Sequence, residues 1–156
     1  MSEFSHLDAR GEVRMVDVTA KRPTVRSAVA EGFVACAPHV VAALRDGTVP
    51  KGDVMALTRI AGIAAAKRTP ELLPLAHVIG VHGATVDVSV EDEGVRIRAA
   101  VSTADRTGVE MEAFTAVAVA ALNVVDMVKA LDKGTVIREI QLVEKHGGKS
   151  GSWRRE

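Results

Sequence analysis

The chain has 156 residues, with 20 lysines and arginines against 20 aspartates and glutamates, and 47% of it is hydrophobic. That length supports one ordinary domain, and so large an apolar share with no net charge excludes a disordered chain. The same balance excludes coating of nucleic acid through bulk charge, because neutralising phosphates needs a basic excess; local basic patches stay open. Aromatics amount to 3%, namely Phe4, Phe33, Phe114 and Trp153. The core must therefore come from Ala, Val, Leu and Ile. Such a core gains stability by close backbone approach or by burying further surface in an oligomer. The single cysteine, Cys36, excludes an internal disulfide and a multi-cysteine zinc site, and fits a reducing compartment. Residues 1–12 are polar and charged and do not read as a signal peptide. Stretches free of Lys, Arg, Asp and Glu, such as 72–86 and 113–125, are shorter than the ~20 residues needed to cross a bilayer. A cytoplasmic protein with no membrane partner is expected.

In chain order, 1–12 reads as a mobile arm and 14–18 as a short strand. Residues 25–34 alternate loosely, with Val25, Val29 and Phe33 on one side, as a strand does. Pro38 opens a short helix that Asp46-Gly47 ends. Asp53 is positioned to cap a second helix running to Lys67, and the Ala and Gly residues of that helix imply a closely packed neighbour. Thr69-Pro70 should stop it. Residues 85–90 and 95–101 alternate cleanly around a turn at 91–94 and predict a hairpin. Residues 108–131 predict a long helix, with Ala113, Val117, Ala120, Val124, Met127 and Leu131 at helical spacing. A last strand is expected at 135–143, followed by a Gly/Ser/basic tail at 147–156. Strand, helix, helix, strand, strand, helix, strand is the order of an α+β fold, a ferredoxin-like antiparallel sheet with helices packed on one face, in a single domain over 1–156. Ile137 and Val143 alternate against Ile140 and Leu142, so β positions look apolar on both faces. A second sheet from a neighbouring subunit is the expected cover.

Chemistry concentrates in a few places. Thr107-x-x-Glu110 reads either as a capping box or as a site carboxylate, and Glu112 is harder to explain by capping. Asp126 interrupts an apolar helix and pairs by spacing with Lys129, either as a surface ion pair or as an acid/base group beside a lysine. Glu112 and Asp126 lie about 21 Å apart along one helix at ~1.5 Å per residue, so one small substrate cannot readily bridge both within a subunit. His77, in Leu73-Pro74-Leu75-Ala76-His77, is either a core histidine satisfied by backbone or a polar group in a cleft. Lys51, Lys67, Arg68, Lys129, Lys133, Lys145 and Lys149 punctuate turns and helix ends, as solvated charges or as a phosphate-gathering set. Gly147-Gly148-Lys149-Ser150-Gly151 could bring backbone N–H groups near an anion but is not a P-loop. The histidines show no metal-ligand spacing, so no metal site is expected. An RNA-binding sheet would need exposed stacking aromatics, which are lacking.

Eight blocks occur in order: Met15-Val16-Asp17-Val18, Lys51-Gly52-Asp53-Val54, Arg59-Ile60-Ala61-Gly62-Ile63, Ala65-Ala66-Lys67-Arg68-Thr69, Leu73-Pro74-Leu75-Ala76-His77, Thr107-Gly108-Val109-Glu110-Met111-Glu112-Ala113, Asp126-Met127-Val128-Lys129-Ala130 and Gly147-Gly148-Lys149-Ser150-Gly151. In joint order and spacing, from about residue 5 to 151, the chain resembles the molybdenum cofactor biosynthesis protein C family, the cyclic pyranopterin monophosphate synthases. The resemblance implies a phosphorus–oxygen lyase that converts a 3′,8-cyclised dihydroguanosine 5′-triphosphate to cyclic pyranopterin monophosphate and diphosphate. It also implies a homohexamer, a trimer of dimers, with sites between subunits. By motif it implies Asp126, Lys129 and Lys51 as catalytic residues, and Leu75, Ala76, His77, Glu110, Met111, Glu112 and Lys145 as substrate contacts. No cofactor is required on this reading, although Mg2+ can accompany the triphosphate. The partner is the small nucleotide-derived substrate, not nucleic acid. Ala76-His77-Val78 stands where the family usually reads Cys-His-Pro, Val125 where it usually has Tyr, and Asn123 is unusual. The alternative is a catalytically impaired paralogue that binds the nucleotide or co-assembles with an active homologue.

Overall fold

The structure, a computed structural model, describes residues 5–156. Met1–Phe4, part of the expected arm, lie outside the described residues. The chain runs β1 (Thr24–Ala35), α1 (Pro38–Asp46), α2 (Val54–Lys67), α3 (Thr69–Leu72), β2 (Gly83–Glu91), β3 (Gly94–Asp105), α4 (Glu110–Val128), β4 (Val136–His146) and β5 (Trp153–Arg154). All pairings are antiparallel, in the spatial order β2-β3-β1-β4-β5. The first four strands with α2 and α4 make the ferredoxin-like arrangement, and β5 adds a short outer strand.

Local chemistry explains most element ends. Pro38 sits in the first turn of α1, where its missing N–H leaves no bond unmade, and Gly47 takes a left-handed conformation that hands its N–H to the Ala43 carbonyl. Asp53 caps α2 by accepting the Ala56 N–H at 2.9 Å. Thr69-Pro70 does end α2, but the chain restarts at once as α3, because proline is also at home in a first turn. Two local expectations fail. Residues 14–18 form no strand; nearby only Leu7 and Val13 bridge. Helix α4 is shorter at both ends than 108–131, and its N-cap is Val109, without a side-chain cap. The Thr107–Glu110 capping box is therefore not made. In the 147–156 tail, Trp153 and Arg154 pair with Lys145 and Glu144.

The core lies between the sheet and α2/α4, and its layers approach through small residues. Ala28, Ala30 and Gly32 of β1 turn their buried face to Ala113, Ala116, Val117 and Ala120 of α4. A Cβ built on Gly32 would stand 2.7 Å from Val117 Cγ1. One on Gly62 of α2 would stand 3.0 Å from Val86 Cγ2 and 3.1 Å from the Ala116 carbonyl oxygen. The scarcity of aromatics is thus matched by close approach of backbones. Among the described residues α4 alone is long and apolar enough to cross a membrane, but more than half of that stretch is buried within the fold.

Strand β4 departs from simple alternation. Arg138 to Gln141 spans three steps against two from Phe33 to Glu31, and Leu142 to Glu144 spans two against one from Ala30 to Val29. Glu139 carries φ 55° at the first of these bulges. As a result Ile137, Ile140 and Leu142 all pack against the core. Three of the four apolar residues expected to divide between the two faces of β4 thus lie on one, Val143 is not among them, and Val136 is exposed. The outer face of the sheet also carries ion pairs. Arg96 binds Glu31 at 3.0 Å and Glu91 at 2.8 Å, Arg98 binds Glu31 at 3.3 Å, and the Arg96 guanidinium lies over Phe33. The two bulges also place Lys145, rather than Val143, opposite Ala28.

Candidate active site

The residues singled out in the sequence collect at the two ends of α4. At the C-terminal end, Lys51 Nζ reaches Asp126 Oδ2 at 2.8 Å and Lys129 Nζ reaches Asp126 Oδ1 at 2.7 Å. Lys51 arrives from the turn before α2, whose cap at Asp53 fixes the entry of that helix. Lys129 lies three residues beyond Asp126, on the same helical face. The spacing argument anticipated the Lys129 pairing; Lys51 was implied only by the resemblance, and the fold sets it on Asp126. The hydrogen bond from Lys129, then that from Lys51, holds the Asp126 carboxyl well below its ordinary value, at about 2. All three side chains are open to solvent.

At the N-terminal end a cavity of about 400 Å³ is lined by Leu75, Ala76, His77, Glu110, Met111 and Glu112, all singled out in the sequence. Its remaining walls come from Ser5, His6, Val16, Val18, Lys21, Thr107 and Gly108. Of these, Val16 and Val18 belong to a block of the resemblance, whereas Ser5, His6 and Lys21 carry no local signal and are brought in by the path of the chain before β1. Lys145 Nζ pairs with Glu110 Oε1 at 3.2 Å. Glu110 is thus an ion-pairing group of the cavity and not a helix cap.

His77 satisfies both readings of it. It lines the cavity, and its Nε2 lies 2.6 Å from the Val16 carbonyl oxygen. A carbonyl only accepts, so Nε2 carries the proton and donates, which leaves Nδ1 of the neutral ring as an acceptor. Val78, at the position where the family usually has proline, is exposed, and Ala76 lines the cavity. Asn123 donates to Thr58 Oγ1 at 3.0 Å, tying α4 to α2, and Val125 packs against the core. From the Gly147–Gly151 loop the Ser150 hydroxyl lies 2.6 Å from Lys145 Nζ. Among the described residues no group of three or more His, Cys, Asp or Glu side chains is placed to hold a metal ion.

Glu112 is the buried carboxylate of the cavity, 3% exposed. Burial pushes its pKa up, and the neighbouring Glu110 charge adds to the rise. A raised carboxyl pKa means that ionised Glu112 costs folding stability at neutral pH, a cost relieved as pH falls through that raised value. Glu112→Gln is accordingly expected to raise Tm at pH 7 by about 2–4 °C, equivalent to about 1 kcal/mol for a domain of this size, while lowering activity. The gain should shrink towards acid pH in thermal melts; a lowered Tm at pH 7 would show that the carboxylate is a stabilising group.

Fold and site together define a class: a ferredoxin-like α+β subunit whose long helix carries a lysine–aspartate cluster at one end and a carboxylate- and histidine-lined cavity at the other. Comparison with known proteins narrows this. The sequence profile of the MoaC family matches residues 15–148. A Streptomyces coelicolor protein named cyclic pyranopterin monophosphate synthase is 58% identical over 152 residues, 97% of this chain and 89% of its own length. Proteins of the same name are similar in Thermomicrobium roseum (55% identity, 100% of this chain, 95% of that protein) and Geobacter metallireducens (51%, 98% and 97%). The chain belongs to the MoaC family.

Proposed function

We propose that the chain is a cyclic pyranopterin monophosphate synthase, a lyase of molybdenum cofactor biosynthesis. It takes the 3′,8-cyclised dihydroguanosine 5′-triphosphate to cyclic pyranopterin monophosphate and releases diphosphate. Near-full-length similarity to proteins of that name supports the reading, and so does the site chemistry. The single observation that carries it structurally is Asp126 held between two lysine ammonium groups, with both lysines open to solvent. Solvent-facing ammonium groups are suited to a polyphosphate and to the charge that develops on leaving diphosphate. Mg2+ enters, where it does, as a companion of the triphosphate.

On this reading the roles divide by position. Lys51 and Lys129 hold the phosphate chain. While they grip Asp126 its carboxylate is a weak base; phosphates that draw the lysines away restore its basicity, coupling substrate binding to proton transfer. Glu112 and Asp126 move protons during ring opening and reclosure. His77 accepts a hydrogen bond or proton at Nδ1, and Lys145 with Glu110 sets the charge at the cavity rim. Leu75, Ala76 and Met111 shape the wall that meets the substrate. The two clusters sit at opposite ends of the continuous helix α4, so one substrate cannot span them within a subunit. The reading therefore places the working site between subunits of a homohexamer, a trimer of dimers, in the cytoplasm. Purified protein supplied with the cyclised triphosphate is expected to release diphosphate and form the pterin product. Tight binding of the substrate with no diphosphate release would favour a nucleotide-binding paralogue instead.

A further inference from the structure

We propose that Ser150 is a positioning residue for Lys145, that the β4–β5 clasp holds it in place, and that it acts through Lys145 on binding of the substrate's anionic chain. The proposal rests on the functional reading above. Lys145 Nζ lies 2.6 Å from Ser150 Oγ and 3.2 Å from Glu110 Oε1, and its side chain is 23% exposed. A lysine ammonium has three donors on a flexible four-carbon stem. Two partners on different elements fix the nitrogen and so leave the third N–H with a defined direction. With Glu110 alone the ammonium can swing about a single contact, and part of its ordering is deferred to substrate binding.

Ser150 is not a passing loop residue. Gly147 and Gly148 turn the chain with φ values of 88° and 77°, and a Cβ on Gly147 would run into the Val25 carbonyl oxygen. The Gly151 N–H closes the turn on the Gly148 carbonyl at 3.2 Å. The chain then returns along β4, with Trp153 opposite Lys145 itself and Arg154 opposite Glu144. Arg155 locks the return: its N–H donates to the Val143 carbonyl and its Nε to the Leu142 carbonyl, each at 2.8 Å, while its guanidinium lies over Trp153. His146 Nδ1 meets Ser152 Oγ at 3.0 Å. The residue that carries the ammonium is therefore also the backbone anchor of the strand that delivers its hydroxyl partner.

The test compares Ser150→Ala, Ser150→Thr and Arg155→Pro with the full-length wild type, reading kcat, KM, Tm and the affinity for inorganic triphosphate by calorimetry. Ser150→Ala is expected to raise KM and weaken triphosphate binding, each about tenfold, because a hydrogen bond to a charged group is lost; kcat and Tm should hardly change. Ser150→Thr, which keeps the hydroxyl, should restore both. Arg155→Pro removes both Arg155 hydrogen bonds and should mimic Ser150→Ala; adding Ser150→Ala to it should cost less than about twofold more. Unchanged triphosphate affinity in Ser150→Ala, failure of threonine to rescue, or fully multiplicative losses would overturn the proposal. Wild-type turnover alone decides the functional reading, and the calorimetric arm needs no turnover, so the two can fail separately.

Discussion

Replacing Asp126 by asparagine is expected to lower kcat/KM about a thousandfold, the scale of losing a positioned acid/base group, with little change in Tm. The side chain is isosteric and open to solvent, so folding should tolerate it. The function should not. Each carboxylate oxygen now holds one ammonium, Lys51 on Oδ2 and Lys129 on Oδ1. An amide turns an NH2 towards one of them and leaves two cations without a common counter-charge. The group that proton transfer needs is lost as well. Because the two lysines hold the Asp126 carboxyl at about 2, it is ionised across the whole working range of the free enzyme. The acid limb of kcat/KM between about pH 5 and 8 should therefore come from other groups and not from Asp126. Steady-state diphosphate release over that range checks both statements. A variant within about threefold of wild type would remove Asp126 from the chemistry.

Gly32→Val is expected to cost about 3 kcal/mol of stability, at the upper end of ordinary overpacking, and to lower Tm by about 6–12 °C. Its backbone conformation is ordinary for a strand, so the cost is steric. A Cβ there meets Val117 Cγ1 at 2.7 Å and Ile140 Cγ1 at 3.3 Å, on the face where β1 passes under α4. Neither neighbour can move freely: Val117 is fully buried, and Ile140 is turned inward by the β4 bulge. Val117→Ala in the same chain should recover a large part of the loss, because the two changes share one space. Thermal melts of the single and double variants test this; a Tm drop below about 2 °C would mean that the layers can separate at little cost.

The ferredoxin-like order was legible because each long element has a strong local signature: clean alternation in 85–101, a 3.6-residue apolar repeat through 113–127, a proline and a glycine bracketing α1, and an aspartate before α2. The weak places were those where distant packing outvotes a local pattern. Residues 14–18 alternate, yet they join no strand, and Val16 and Val18 wall the cavity instead. Thr107 and Glu110 have capping-box spacing, yet Glu110 pairs with Lys145, because a charged partner from β4 offers more than a reciprocal turn bond. The tail reads as a Gly/Ser/basic stretch by composition, yet its glycines serve a tight turn that returns Trp153 and Arg154 to β4.

By itself the sequence determined the element types, a small-residue core, the pairing of Asp126 with Lys129 and the family to which the blocks belong. Those depend on near neighbours in the chain or on ordered motifs, and both are visible in one dimension. The tertiary structure alone decided that Lys51 shares Asp126, that His77 donates to Val16, and that residues before β1 wall the cavity. It also decided that two bulges turn the apolar residues of β4 inward and set Lys145 towards Glu110. Each of these joins groups far apart in sequence, and a single inserted residue in a strand changes the face that every later side chain meets. Strand register, set by packing across the whole sheet, therefore decided which charges came together.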